Sequence, residues 1–258
     1  VVERAIEYWN GDEGKRGIVT LCWHWCPAAR YDKSKSDPWG TFYTDKTKFN
    51  LARAMNGRDP DGYQMLLDDI DAIAVQLKRL QDADVPVLWR PLHEASGGWF
   101  WWGASGADAY LQLYKLMYDR LTNVHGLNNL IWVWNGQDAA WYPGDEYVDI
   151  IGEDIYPGKH VYTSQAARFI KALNYTDTRK LITLSENGCI PDPEQLVRDN
   201  IMWSYWCVWE GEFVLKAAGF NNYSEQYTEK NMLKKAYKSD TVITRKELPD
   251  LRNYPLGD

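Results

Sequence analysis

Two glutamates draw attention by where they fall. Glu94 closes the run VPVLWRPLHE (85–94), and Glu186 lies in LITLSENG (181–188). Each sits where an apolar stretch gives way to a loop containing glycine, among polar groups that need partners. A lone glutamate at a strand end is most often a solvated loop charge. Two across one cleft are the equipment for glycoside hydrolysis, in which one carboxyl donates a proton to the leaving oxygen. The other is ionised and attacks the sugar or activates water. Glu153, Glu210 and Glu212 also flank strand ends and compete for these roles. Glu153 and Asp154 are neighbours in one strand pattern, so only one of them can look inward. The HE and SEN contexts favour Glu94 and Glu186.

Aromatic residues are the unusual part of the composition: 14 Trp, 17 Tyr and 6 Phe in 258 residues. Packing in the core accounts for some of them. The clusters WHW (23–25) and WFWW (99–102) fall at the ends of apolar runs, where flat faces can stack on sugar rings. They would also create a partly dehydrated setting that favours a protonated carboxyl.

Other chemistries find less support. The net charge of −7 and a pI near 5.2, without a basic run, argue against nucleic acid or an anionic membrane as partner. No apolar stretch approaches the ~18–20 residues of a membrane span. Cys22, His24 and Cys26 form a C-x-H-x-C pattern, but a strand through 18–25 spaces the two thiols poorly for a tetrahedral metal site. They read as structural thiols. A bridge between Cys189 and Cys207 is open, and His125 and His160 lie in turn-like stretches with no assigned role.

The elements that must position these groups are apolar runs alternating with helical patterns. Strands are expected at 17–25, 85–94, 129–135, 149–156, 181–188 and 202–209, and helices at 63–83, 107–122, 164–174, 193–201 and 224–238. Asp59–Gly62 reads as a turn opening the first of these helices; its acids could hold calcium adventitiously. Residues 26–60 read as a long polar loop, and loops of that length are usually functional. Alternation of this kind indicates a parallel sheet covered by helices. A doubly wound sheet is the alternative, yet no glycine-rich phosphate loop follows any strand. His24, Glu94, Asn135, Asp154, Glu186 and Trp209 all fall at C-terminal strand ends, where a (β/α)8 barrel builds its active site. A single domain over 1–258 with this barrel plan is expected.

RPLHE, followed by GGWFWWG, GEDIYP and LSENG in that order, resembles glycoside hydrolase family 26. The similarity runs from ERAIEYWN and GIVTLCWHW to VITRKELPD. The resemblance implies an endo-acting β-1,4-mannanase barrel with its acid/base after strand 4 and its nucleophile after strand 7. Glu94 then becomes the acid/base and Glu186 the nucleophile of a retaining reaction, with carboxyls about 5–5.5 Å apart. Counting back, strands 1 and 2 of the barrel are expected to lie outside this sequence, supplied by a longer chain or by a separate one. The chain opens on a helical pattern rather than Met, so an upstream segment is expected.

The resemblance also assigns supporting roles. His93 would orient substrate or tune Glu94, and Trp99 would stand on the leaving-group side. Tyr156 would hold the Glu186 carboxylate, with Asp154 in the same network. His24 and Trp209 would frame the sugar at the scissile bond, and Arg90 would orient carboxylates from one layer below. Trp101 and Trp102 could equally be packing residues. No cofactor or metal is implied. The expected partners are β-mannan polysaccharides and manno-oligosaccharides, met by a secreted monomer. A β-glucanase or xylanase keeps the chemistry and changes the sugar. A carbohydrate-binding protein without catalysis is a reading of another class.

Overall fold

The helix over Pro60–Asp82 shows how local sequence sets the architecture. Asp59 caps it by accepting the Gly62 N–H at 2.9 Å, and Pro60 takes the first helical position, where its missing N–H costs nothing. The expected turn at Asp59–Gly62 is therefore the first turn of the helix, which begins three residues earlier than its apolar pattern suggests. Asp59 also accepts the Tyr31 hydroxyl at 2.9 Å, so its carboxylate serves as a joint within the protein. Met65, Leu66, Ile70, Ala74, Leu77 and Leu80 form the buried stripe. Beyond the helix Asp84 takes a left-handed conformation (φ 53°), and the Val85 N–H returns to the Leu80 carbonyl, closing the end.

The structure, a computed structural model, describes residues 1–11, 16–33, 38–216 and 222–254. It resolves into two units, one of Val1–Trp9 with Ile18–Ile150 and one of Asn10–Gly17 with Ile151–Asp258. The first contains α1 (Val2–Asn10, to its penultimate residue), β1 (Val19–Cys22), α2 (Leu51–Met55), α3 (Pro60–Asp82), β2 (Val87–Arg90), α4 (Ala107–Asp119) and β3 (Leu130–Trp134). Its strands lie in the order β1-β2-β3, all parallel, with Val19 level with Val87 and Val87 level with Leu130. All four β2 residues are buried, as expected of a strand covered on both faces.

The second unit contains β4 (Ile150–Ile155, from its second residue), α5 (Ala166–Leu173), β5 (Leu181–Asn187), α6 (Pro193–Asp199), β6 (Trp206–Val208) and α7 (Lys230–Tyr237). Its strands neighbour one another in chain order, and β5 and β6 run parallel. Each unit thus repeats the strand–helix–strand plan of part of a (β/α)8 fold. Among the described residues no helix is long and apolar enough to cross a membrane.

Several elements differ from the sequence reading. The strands expected at 17–25, 85–94 and 202–209 shorten to β1, β2 and β6. Pro91 offers no N–H to a ladder, and Leu92 and Glu94 both adopt φ 53°, so the chain leaves the sheet after Arg90. The segment 26–60 is not all loop: it holds α2 and two single turns of 3-10 helix, while 34–37 lie outside the described residues. The 224–238 helix contracts to α7. None of the four cysteines is in a disulfide. Cys189 directs its thiol to the carbonyls of Gly158 (3.0 Å) and Tyr227 (3.1 Å), so no Cys189–Cys207 bridge forms.

On the outer face, Asp71 of α3 receives both Arg120 Nε and Nη2 at 2.5 Å and lies 2.6 Å from His125 Nε2. These residues flank the π-helical turn that ends α4, which gives His125 a role in packing. The Arg120 hydrogen bonds, then His125, hold the Asp71 carboxyl down at about 2. The stabilisation is present above the ordinary carboxylate range near 3.8 and is lost as pH falls through about 2. Because the pair is partly exposed, it contributes about 1 kcal/mol or less. Asp71→Asn is expected to lower the urea midpoint at neutral pH and to lower it less near pH 2, where the parent carboxylate is partly protonated. An equal loss at both pH values would exclude the charge as the cause.

Candidate active site

In the first unit, a turn beyond β2 presents Glu94. Its left-handed backbone (φ 53°, ψ 31°) is uncommon for a residue with a side chain, so its neighbours must enforce it. The Glu94 N–H donates to the Asn135 carbonyl at 2.8 Å, just past β3. Asn135 is fully buried, and its amide oxygen accepts Arg90 Nη1 at 2.8 Å. Arg90 thus braces the strand end on which the Glu94 turn rests. Trp99 is 47% exposed and donates its indole N–H to Glu94 Oε2 at 2.9 Å.

Behind that turn is a layer of aromatic rings. His93 is 1% exposed and packs edge-on against His24 at 4.8 Å, with Phe100 at 4.9 Å and Trp102 at 5.6 Å. Burial, reinforced by the Arg90 charge and by His24, holds the imidazole neutral well below its ordinary range. His93 therefore enters the site as an uncharged, packed ring. Trp102 donates its indole N–H to the His93 carbonyl at 2.8 Å, and Trp101 donates to the Trp25 carbonyl at 2.6 Å. Both indoles are buried and act in packing. His24 lies two residues beyond β1, with Phe42 4.9 Å from its ring. Its Nδ1 is 4.0 Å from the Cys22 thiol. Beside it opens a groove of about 570 Å³ whose lining includes Trp23, His24, Trp25, Trp39 and Phe42.

Sequence reasoning missed the supports from 40–47. The Thr44 N–H donates to the Trp99 carbonyl at 2.8 Å, and its hydroxyl to the Gly98 carbonyl at 2.8 Å. The Trp101 N–H donates to the Phe42 carbonyl at 3.1 Å. Gly103 is a second missed support, since a Cβ there would stand 2.0 Å from the Ala95 carbonyl oxygen. Gly103→Ala is expected to displace the turn next to Glu94 and to lower thermal stability and activity together. An unchanged melting temperature and rate would show that the turn is not confined there.

In the second unit, β5 carries Glu186. Leu184 is level with Trp206 and Asn187 with Val208, so β5 spends one more residue than β6 between them. That bulge falls at Ser185–Glu186, and bulges re-aim side chains where they occur. Glu186 is 5% exposed, and the Tyr156 hydroxyl donates to its Oε2 at 2.6 Å. This contact fixes one oxygen of the carboxylate in place. Ser185 donates to Asp154 Oδ1 at 2.7 Å, one residue from Glu186 along the strand. Glu153 turns the other way, to Arg168 and Tyr175, which answers the question of which neighbour looks outward. Trp209 follows β6, half-buried, its N–H on the Asn187 carbonyl at 3.0 Å. Glu212 accepts the Tyr227 hydroxyl at 3.1 Å.

Two strand-end carboxylates, each held by an aromatic donor, are now defined in their own surroundings. Residues 1–247 match the sequence model of glycosyl hydrolase family 26. The chain belongs to that family. It is 46% identical over 248 residues to a mannan endo-1,4-beta-mannosidase of Thermothelomyces thermophilus, covering 96% of this chain and 48% of that protein. Among solved structures it resembles the GH26-CBM35 beta-(1,4)-mannanase of Podospora anserina, at 39% identity and a TM-score of 0.84. That match covers 95% of this chain and 52% of the other. A beta-mannanase from a symbiotic protist of the termite Reticulitermes speratus, complexed with gluco-manno-oligosaccharide, matches at 36% identity. Its TM-score is 0.81, over 96% of this chain and 72% of the other. The family 26 chain spans about half the length or less of the curated relatives it matches most fully.

Proposed function

We propose that this family 26 chain carries the catalytic groups of an endo-acting β-1,4-mannanase that hydrolyses mannan, glucomannan or galactomannan with net retention. One observation carries the reading: a carboxylate 5% exposed at the end of β5 receives a tyrosine hydroxyl at 2.6 Å, in a chain of this family. The names of the relatives supply the sugar. Glu186 attacks the anomeric carbon as the bond to the leaving oxygen breaks, and Glu94 gives that oxygen its proton. The product is a mannosyl ester on Glu186. Glu94, now ionised, takes a proton from water; the water attacks the anomeric carbon and frees Glu186. Trp99 orients Glu94, and Tyr156 orients Glu186. His24, Trp209 and the groove beside His24 offer ring faces to the sugars. The reaction draws on no cofactor. Polymeric substrates lie outside cells, so a secreted enzyme acting as a monomer fits the reading.

The test is reducing-sugar release from glucomannan, galactomannan, mixed-linkage β-glucan and xylan, with the anomer of the first product followed by NMR. Mannan-selective release with a β-anomer first product supports the reading. Release from β-glucan or xylan alone would replace the substrate. A folded chain silent on all four would point to carbohydrate binding without hydrolysis.

A further inference from the structure

Tyr156 has an exposed ring, 43% open to solvent, yet its hydroxyl must stay within hydrogen-bond reach of Glu186. An exposed ring needs something to fix its side-chain torsions. On the 3-10 turn Gly211–Phe213, Phe213 supplies a partner: its ring centroid lies 5.2 Å from that of Tyr156, tilted by 54°. Phe213 also packs against Tyr227, centroid to centroid 4.2 Å at 38°. Tyr227 is itself fixed at several points. Its hydroxyl donates to Glu212 at 3.1 Å, and its carbonyl accepts both the His160 N–H at 3.0 Å and the Cys189 thiol at 3.1 Å. The Lys159 ammonium stands 5.9 Å from its ring centroid.

Gly188, two residues beyond Glu186, completes the arrangement. A Cβ built there would lie 3.1 Å from Phe213 Cε1 and 3.2 Å from Tyr156 Cδ1. The floor of the ring pair is therefore the backbone that carries the carboxylate. The φ of Gly188 is not in the left-handed region, so space for the two rings, not backbone freedom, is what the glycine provides.

We propose that Phe213 is a positioning residue for Glu186, acting through Tyr156: the ring cluster Tyr227–Phe213–Tyr156 holds the tyrosine hydroxyl on the carboxylate. The inference rests on the proposed role of Glu186 for its kinetic consequence, but its geometric content stands without that role. Phe213 is placed to act through Tyr156. Its loss should act on the rate of bond cleavage rather than on polymer binding.

The test compares Phe213→Ala, Phe213→Leu and Tyr156→Phe, singly and with Tyr156→Phe combined with each, in the full chain. Phe213→Ala is expected to lower kcat on glucomannan by about tenfold, the rate equivalent of a strong aromatic pair, with KM changed less than about twofold. Phe213→Leu should recover part of that loss. In the Tyr156→Phe background, Phe213→Ala should add less than about a twofold effect, because the contact it supports is already gone. An equal tenfold loss in that background, or a loss confined to KM, would overturn the inference. Should Phe213→Ala fail to fold, Phe213→Leu carries the same cycle. Crystal structures of the parent and of Phe213→Leu separate this inference from the function it rests on. If no polymer is cleaved by the parent, the mannanase reading fails. A Tyr156 hydroxyl moved beyond 3.5 Å from Glu186 in the variant still supports the positioning role, and an unmoved hydroxyl overturns it.

Discussion

Glu186→Gln is expected to reduce mannan hydrolysis by about ten-thousandfold or more, since in the proposed reaction Glu186 is the group that forms the covalent intermediate. Melting temperature should stay close to the parent's, because glutamine preserves the shape and can still accept the Tyr156 hydroxyl, 2.6 Å from Oε2 in the parent. Glu94→Ala should behave differently. Loss of a general acid costs about a hundredfold to ten-thousandfold on the polymer, whose sugar leaving group needs a proton. An aryl mannoside with an acidic phenol leaves without one, so its first step should survive in Glu94→Ala and the covalent intermediate should accumulate. Azide, which needs no general base, should then speed turnover and yield β-mannosyl azide. The same azide treatment should do nothing for Glu186→Gln. If azide instead rescued the Glu186 variant with a β-mannosyl azide product, the roles of the two glutamates would be exchanged. If both variants kept polymer activity, the reactive carboxyls would have to be sought elsewhere.

The parts of this site legible in the sequence are those that depend on local pattern. Continuous apolar runs located β2, β4 and β5, and Glu94 follows β2 while Asp154 and Glu186 lie near the ends of β4 and β5. Alternation along IIGEDI correctly separated Glu153 from Asp154. What stayed hidden depends on contacts distant in the chain. Nothing near Thr44 signals that it clamps Gly98 and Trp99, so 26–60 read as polar loop and its bracing role went unseen. The indole of Trp102 looks like core filling until its N–H is found on the carbonyl just before Glu94. Pro60 read as a turn because Asp-Pro-Asp-Gly suits one; the same residues also make a capped first helical turn. Only the apolar residues farther along the helix, packed in three dimensions, decide between those outcomes. The bulge at Ser185–Glu186 is likewise a property of β5 paired with β6, not of β5 alone.

Glu153→Ala is expected to unfold the protein more readily while sparing its chemistry. Glu153 is fully buried on β4. It accepts Arg168 Nε at 2.8 Å and Nη2 at 2.5 Å on one oxygen, and the Tyr175 hydroxyl at 2.7 Å on the other. Taking away one partner of a buried pair typically costs about 3–5 kcal/mol, because the group left behind has lost both water and its counter-charge. Arg168 is 38% exposed and can recover some hydration, which places the loss toward the lower figure. A protein of this size loses roughly 2–4 °C per kcal/mol, so a drop of roughly 6–12 °C is anticipated by calorimetry. Arg168→Met should be at least as harmful, since it strands a carboxylate with no route to solvent. Combining Glu153→Met with Arg168→Met removes both charges and should restore part of the loss, as apolar replacements of buried pairs often do. Throughout the series, kcat measured well below the melting temperature should stay within about twofold of the parent, below what loss of a general acid or base removes. A fall of a hundredfold in folded Glu153→Ala would instead make Glu153 a reacting group, and the division of labour between the two neighbouring acids on β4 would have to be reversed.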